Sequence, residues 1–192
     1  LLKSISISNS FQKDSSGGSE FSDELPIIES RFNEKAKTKF KGKIPNAIQE
    51  TSCGTSVVCK LDTLTNELII EGTGATQSTF TNQALVKTAI ICEGITSLSN
   101  SFFSYSTTLT KVTFPSTLRS IGSRAFFWCS NLKNVSLPAG LTQLGTWSFS
   151  LVTIPSIVIP SGITEIPQSC FSSCYVQNVT FPENLRSIDQ LA

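Results

Sequence analysis

The stretch "FPSTLRSIGSRAFFWCSNLKNVSLP", residues 114–138, opens and closes on the same pair, an apolar residue followed by proline. Pro115 and Pro138 stand 23 residues apart, and Pro160 and Pro182 follow at intervals of 22. Each ends a short β-branched or aromatic run: "VTFP", "VSLP", "IVIP", "VTFP". Three and six residues later come apolar pairs, Leu118/Ile121, Leu141/Leu144, Ile163/Ile166 and Leu185/Ile188. Eleven residues after the first three prolines comes phenylalanine, at 126, 149 and 171. An earlier copy has Cys92 in the proline place, then Ile95, Leu98 and Phe103. A period of this length is the mark of a solenoid.

Each column has its own chemistry. "VTF" and its equivalents alternate inward and outward, which predicts a short strand. Proline, lacking an N–H, closes that strand. "LRSI", "LTQL" and "ITEI" predict a second short strand or extended turn. "SRAFFWC" and "QSCFSSC" predict one helical turn, with Ala125 or Cys170 inward beside Phe126 or Phe171. Phe126, Phe149 and Phe171 are expected to stack as one buried column, with coils about 4.8 Å apart. A coil cannot bury enough apolar surface alone to offset its own ordering entropy, so it must stack.

The pattern therefore predicts a mainly β chain with short helical turns, a solenoid of 22–23-residue coils. Its "IG…AF..C" tail and proline differ from the ordinary leucine-rich repeat, whose strand is followed by an asparagine ladder. The unit resembles the BspA-like leucine-rich repeat family, approximately L-xx-V-x-I-P-xx-V-xx-I-G-xx-A-F-xx-C. "LTKVTFPSTLRSIGSRAFFWC", residues 109–129, matches it almost column by column. Upstream, "CGTSVVCKLDTLTNELIIEGTGA", residues 53–75, is similar to the hairpin region that often precedes such repeats. The resemblance implies a right-handed leucine-rich-repeat solenoid and a surface-exposed repeat protein of host-associated bacteria or parasitic protists, with members implicated in adhesion.

The expected organisation is a polar, charged segment or linker over 1–50, a β-hairpin cap over 51–88 with strands "SVVCKL" and "NELIIEG", and five repeats over 89–192. Residues 1–50 carry 15 of the 29 charged side chains, which places a boundary near Thr51. "SSGGS" at 15–19 reads as linker, "ESRFNEKAKTKF" as a short helix, and the lysines at 35–43 as a solvated tail. The last unit stops within its repeat, so further coils are expected to follow Ala192, and Leu185 and Ile188 are expected to lack a neighbour.

The composition narrows the chemistry. Net charge is +1, so no global field draws nucleic acid. Histidine is absent, removing the commonest general base and metal ligand. Gly72 and Gly74 would need a third glycine at 77 for a dinucleotide turn, and Gln77 stands there. The repeat-region acids Glu93, Glu165, Glu183 and Asp189 form no stacked pair of the kind glycoside hydrolysis requires. No catalytic residue, metal site or cofactor is expected, and no run of residues is apolar enough to span a bilayer. Cys129 and Cys174 fall in one column two coils apart, about 10 Å, too far for a disulfide and suited to buried packing. Cys53 and Cys59 could bridge or stay free. Two N-glycosylation sequons, at Asn134 and Asn178, occur no more often than chance allows.

What remains is a binding surface. The outward strand positions form ladders, and the candidate ligand face is Lys111, Thr113, Asn134, Ser136, Val158, Asn178 and Thr180. A broad, hydroxyl-rich, nearly neutral face suits a protein or glycan ligand, and the family resemblance implies host matrix or cell surface as the partner. The expected location is the cell surface or extracellular space. A cytoplasmic scaffold on the same coils is the alternative, because unpaired cysteines suit a reducing interior.

Overall fold

The computed structural model describes residues 48–77 and 80–192, and the tail features read above, the 15–19 linker, the short helix and the 35–43 lysines, lie outside them. Three antiparallel strands open the described region: β1 (Ile48–Gly54), β2 (Val57–Asp62) and β3 (Glu67–Gly72). β2 and β3 are the two strands read from "SVVCKL" and "NELIIEG"; β1, which runs across the composition boundary, is an additional strand. β3 then pairs in parallel with β5 (Thr88–Ile91), and β5 with β7 (Lys111–Thr113). The meander thus passes directly into the solenoid.

Counting from β3, the chain winds through coils at 67–87, 88–110, 111–133, 134–155 and 156–177, and begins a sixth at 178. Two strand stacks line it. The first holds β3, β5 and β7, then β10 (Ser156–Val158) and β12 (Asn178–Thr180). The second holds β4 (Gly74–Ala75), β6 (Ile95–Leu98), β8 (Ser120–Ile121) and β9 (Gln143–Leu144), then β11 (Glu165–Ile166) and β13 (Ser187–Ile188). Inward residues of both stacks are buried: Ala89, Val112 and Ile157 in the first, Leu98, Ile121, Leu144 and Ile166 in the second.

The third side of each coil is an arc, and it is not helical. Ser101/Tyr105, Arg124/Trp128, Trp147/Leu151 and Ser169/Ser173 take left-handed backbone angles, with φ of 53–63°. A left-handed residue at every fourth position prevents helix propagation. Alternate amides bond in two directions instead. Ala125, Phe127 and Cys129 donate three residues back within the coil, while Arg124, Phe126 and Trp128 donate to Thr146, Ser148 and Ser150 of the next coil. The expected single helical turn is therefore an alternating arc whose free donors lie along the stacking axis.

Inside the arc, Phe103, Phe126, Phe149 and Phe171 stack with centroids 5.3, 5.1 and 5.7 Å apart and planes within 16° of parallel. The first three are fully buried and Phe171 is half-buried. Ala125 and Cys170 are the small inward residues beside them. Glycine has a specific use here: a Cβ on Gly145 would collide with the backbone of Gly122 and Ser123, so this bend passes the previous coil too closely for any other residue. At the far end Phe181 and Ile188 are 47% and 55% exposed, while Leu185 is half-buried.

Candidate binding face

Outward residues of the first stack alternate with the buried ones, so Lys111, Thr113, Asn134, Ser136, Val158, Asn178 and Thr180 are all exposed. The face they form is not a continuous sheet. The five-stranded sheet ends at β7, and β10 pairs only with β12. Between them, residues 134–138 form no strand, and a lone parallel bridge joins Lys111 to Asn134.

Backbone donors are missing from the chain next to the break. The residue before each first-stack strand donates its N–H back to the equivalent carbonyl of the preceding coil: Thr110 to Lys87 (2.9 Å), Lys133 to Thr110 (3.2 Å) and Gln177 to Pro155 (3.1 Å). Pro155 occupies this place before β10 and has no N–H to give. On the second stack Arg119 donates to Thr96 and Arg186 to Thr164, yet β9 and β11 do not pair. Pro167 follows β11 where Gly122 and Asp189 supply donors in other coils, to Leu98 and Ile166. Both prolines lie outside the repeat's own proline column. They are the signal that would have located the break from the sequence.

A groove of about 660 Å³ opens at this place, with Phe114, Val135 and Leu137 as its half-buried apolar lining and Lys111 as its one charged residue. Of the seven candidate residues, Lys111, Thr113, Asn134 and Ser136 line it together. Val158, Asn178 and Thr180 lie beyond the break and do not. Glu93 shapes one rim: it accepts the Ser116 N–H (2.8 Å), the Ser116 hydroxyl (3.1 Å) and the Thr117 N–H (3.2 Å). Those bonds, the Ser116 amide first, hold its carboxyl below the usual range.

The cysteines divide as packing and cross-link. Cys53 and Cys59 are joined as a disulfide within the meander, with Cα atoms 5.9 Å apart. The Cys129 thiol donates to the Phe103 carbonyl and the Cys174 thiol to the Phe149 carbonyl, each reaching the preceding coil. Burial pushes the Cys129 and Cys170 thiols up to about 12. A thiol so raised is neither nucleophile nor metal ligand at neutral pH. Among the described residues no cluster of three His, Cys, Asp or Glu side chains is placed to hold a metal, and no helix is long and apolar enough to cross a membrane.

A parallel solenoid with two strand stacks, a phenylalanine spine and an exposed strand face defines a repeat protein of the leucine-rich class. The chain belongs to the family described as the BspA type leucine rich repeat region (six copies), whose sequence model matches residues 73–192. That family and fold support a repeat-based protein-interaction role. Three solved structures share the fold. A leucine-rich repeat protein from Eubacterium ventriosum aligns at 24% identity and TM-score 0.64, covering 74% of this chain and 40% of that one. A leucine rich cell surface protein from Faecalibacterium prausnitzii aligns at 20% and 0.52, covering 74% and 45%. A leucine-rich repeat protein from Bacteroides ovatus aligns at 15% and 0.53, covering 77% and 55%. The chain thus spans roughly half the length of these relatives. No curated protein matches it by sequence.

Proposed function

We propose that the chain is a non-enzymatic repeat protein of the cell surface that binds a protein or glycan partner, in adhesion to host cells or matrix. The observation that carries this reading is the quartet Lys111, Thr113, Asn134 and Ser136 around the groove: four exposed polar side chains on a rigid coil scaffold, over a half-buried apolar floor. Binding energy concentrates where such a floor is ringed by polar groups. The Cys53–Cys59 disulfide favours an oxidising compartment. The description of the F. prausnitzii relative as a cell surface protein points the same way. The alternative, a cytoplasmic scaffold, draws on the half-buried unpaired thiols of Cys92 and Cys174.

The test is a pair of double variants. Lys111→Glu with Ser136→Arg reverses charge and adds bulk across the groove. Gln143→Arg with Glu165→Lys does the same on the second stack. Arg119 is unsuited to the control, because its guanidinium donates to the Ser116 and Leu118 carbonyls. Exposed substitutions cost within about 0.5 kcal/mol, so both variants should melt close to the parent. The groove variant is expected to lose binding to epithelial cells and immobilised matrix proteins, and the control to keep it. Loss confined to the control would mean the wrong face.

A further inference from the structure

The chain has two tryptophans, and both lie on the arc, away from the strand face. Trp128 is 48% exposed and pairs with Tyr105 of the preceding coil, 60% exposed, with ring centroids 5.9 Å apart. Their inner edges rest on Phe127. Trp147 is half-buried and carries the Arg124 guanidinium over its ring at 4.3 Å. A polar cleft of about 260 Å³ is lined by Arg124, Trp147, Asn100, Ser101, Ser123 and Thr146. The Asn100 carboxamide oxygen accepts the Ser123 N–H at 2.9 Å, which fixes that amide. No carboxylate lines the cleft.

The backbone supplies a separate observation. Tyr105, Arg124, Trp128 and Trp147 all sit at positive φ, 57–63°. Bulky side chains there carry a steric cost that glycine or asparagine would avoid. Coil 5 puts Ser169 and Ser173 in the same columns, and coils 4 and 6 put Leu151 and Leu191 there. Large planar side chains at these places serve no need of the arc, whose geometry is the same with serine.

We infer that this part of the arc binds an oligosaccharide carrying a carboxylate. A pyranose ring has a flat C–H face and a rim of hydroxyls, which match exposed aromatic rings beside hydroxyl and amide groups. Two rings are too small a patch for a stable protein interface, which needs roughly 800 Å² on each side. Arg124 lies over Trp147 and is exposed at the surface, where its guanidinium can meet a carboxylate. Arg124 and Trp128 stand four positions apart, a path of at most about 14 Å. A ligand with one ring stacked on Trp128 and a second, acidic unit at Arg124 is an oligosaccharide. Sialic acid and uronic acid both supply this chemistry.

Both tryptophans lie at the site, so intrinsic fluorescence of the full chain reports occupancy directly. The probes are 3′-sialyllactose and a hyaluronan hexasaccharide, each against a neutral counterpart, lactose and chitohexaose. At least one acidic probe should produce a saturable change, at about tenfold or more higher affinity than its counterpart. Which one does so separates sialic from uronic acid. Arg124→Gln should weaken it by about 10- to 100-fold, the range of a charge-assisted bond. Tyr105→Ser, which keeps both tryptophans, should weaken it several-fold with an unchanged melting temperature. The Lys111→Glu/Ser136→Arg variant should bind sugar normally, so failure at the arc and failure at the strand face are read separately. Absence of any change up to about 10 mM of either acidic probe overturns the inference, as does wild-type affinity in both arc variants.

Discussion

Coils 2 and 3 and coils 5 and 6 pair in both strand stacks, so the chain holds each of these pairs together differently from the way it joins coil 4 to coil 5. Between coils 2 and 3, both strand stacks pair and the arc amides of Ser101, Phe103 and Tyr105 bond forward. Between coils 4 and 5 neither stack pairs, and the joint is carried by the arc and the turn after it, where Thr153 bridges Tyr175 and the Tyr175 and Gln177 N–H groups donate to Val152 and Pro155. Trp147, Phe149 and Leu151 donate to Gln168, Cys170 and Ser172, and Phe149 stacks on Phe171. A repeat fold is a sum of unit and neighbour terms, so one thin joint need not unfold the rest. It does mean that the two halves should open at different free energies.

The largest test of this asymmetry is the phenylalanine spine. Phe126→Ala and Phe149→Ala each remove a fully buried ring and should cost about 3–5 kcal/mol. Their patterns should differ. Phe126 lies where β8 and β9 still tie its coil to the next, so its loss should lower protection broadly. Phe149 supplies the contact at the thin joint, so its loss should release residues 156–192 ahead of coils 1–3. Hydrogen exchange read segment by segment checks this, and identical profiles would show that the joint is no weaker than its neighbours.

Next in size is the response to alkali. Cys129 lies before the joint and Cys170 after it, and burial raises both thiols from 9.0 to about 12. Between those values the unfolded chain releases protons that the folded chain retains. Stability is then fully present below pH 9 and falls as pH rises, by up to about 1.4 kcal/mol per unit for each thiol. Both thiols are fully buried, so iodoacetamide reaches either one only when its coil opens, and a difference in alkylation rate at pH 8 reports that opening. Cys170 should react with iodoacetamide several-fold faster than Cys129, checked by peptide mass spectrometry. Equal rates would place both in one cooperative unit.

The contrast also shows what the sequence makes legible. Columns that repeat are over-determined, so the buried spine, both inward rows and the exposed strand face could be placed from spacing alone. The β2–β3 turn was readable from "DTLT" between two apolar runs. The arc was not: a left-handed residue leaves no compositional mark when Arg, Trp, Leu and Ser all occupy it, and "SRAFFWC" has ordinary helix-forming character. The break in the strand face also escaped column counting, since Pro155 and Pro167 beside it lie outside the columns. Half of the candidate face therefore falls on one side of a gap that the outward pattern alone does not reveal.

Two physical causes could produce that gap, and the smallest expected effect separates them. One is the missing donors at Pro155 and Pro167. The other is length. Two residues separate Ser106 from Leu109 and Cys129 from Leu132, but only Thr153 separates Val152 from Ile154, which shortens the turn leading into β10. Pro155→Thr with Pro167→Gly returns both N–H groups while leaving the turn short. Each restored bond is worth about 0.5–1.5 kcal/mol, and each lost proline gives back about 0.4–1 kcal/mol of unfolded-state entropy. The global change should therefore stay within about 1 kcal/mol. The local change should be plain: amides of residues 155–159 should gain exchange protection, and Cys170 should lose its excess alkylation rate over Cys129. If protection stays as it was, the donors are not what separates the sheets. Inserting one serine after Thr153 is then the variant expected to join β10 to its neighbour.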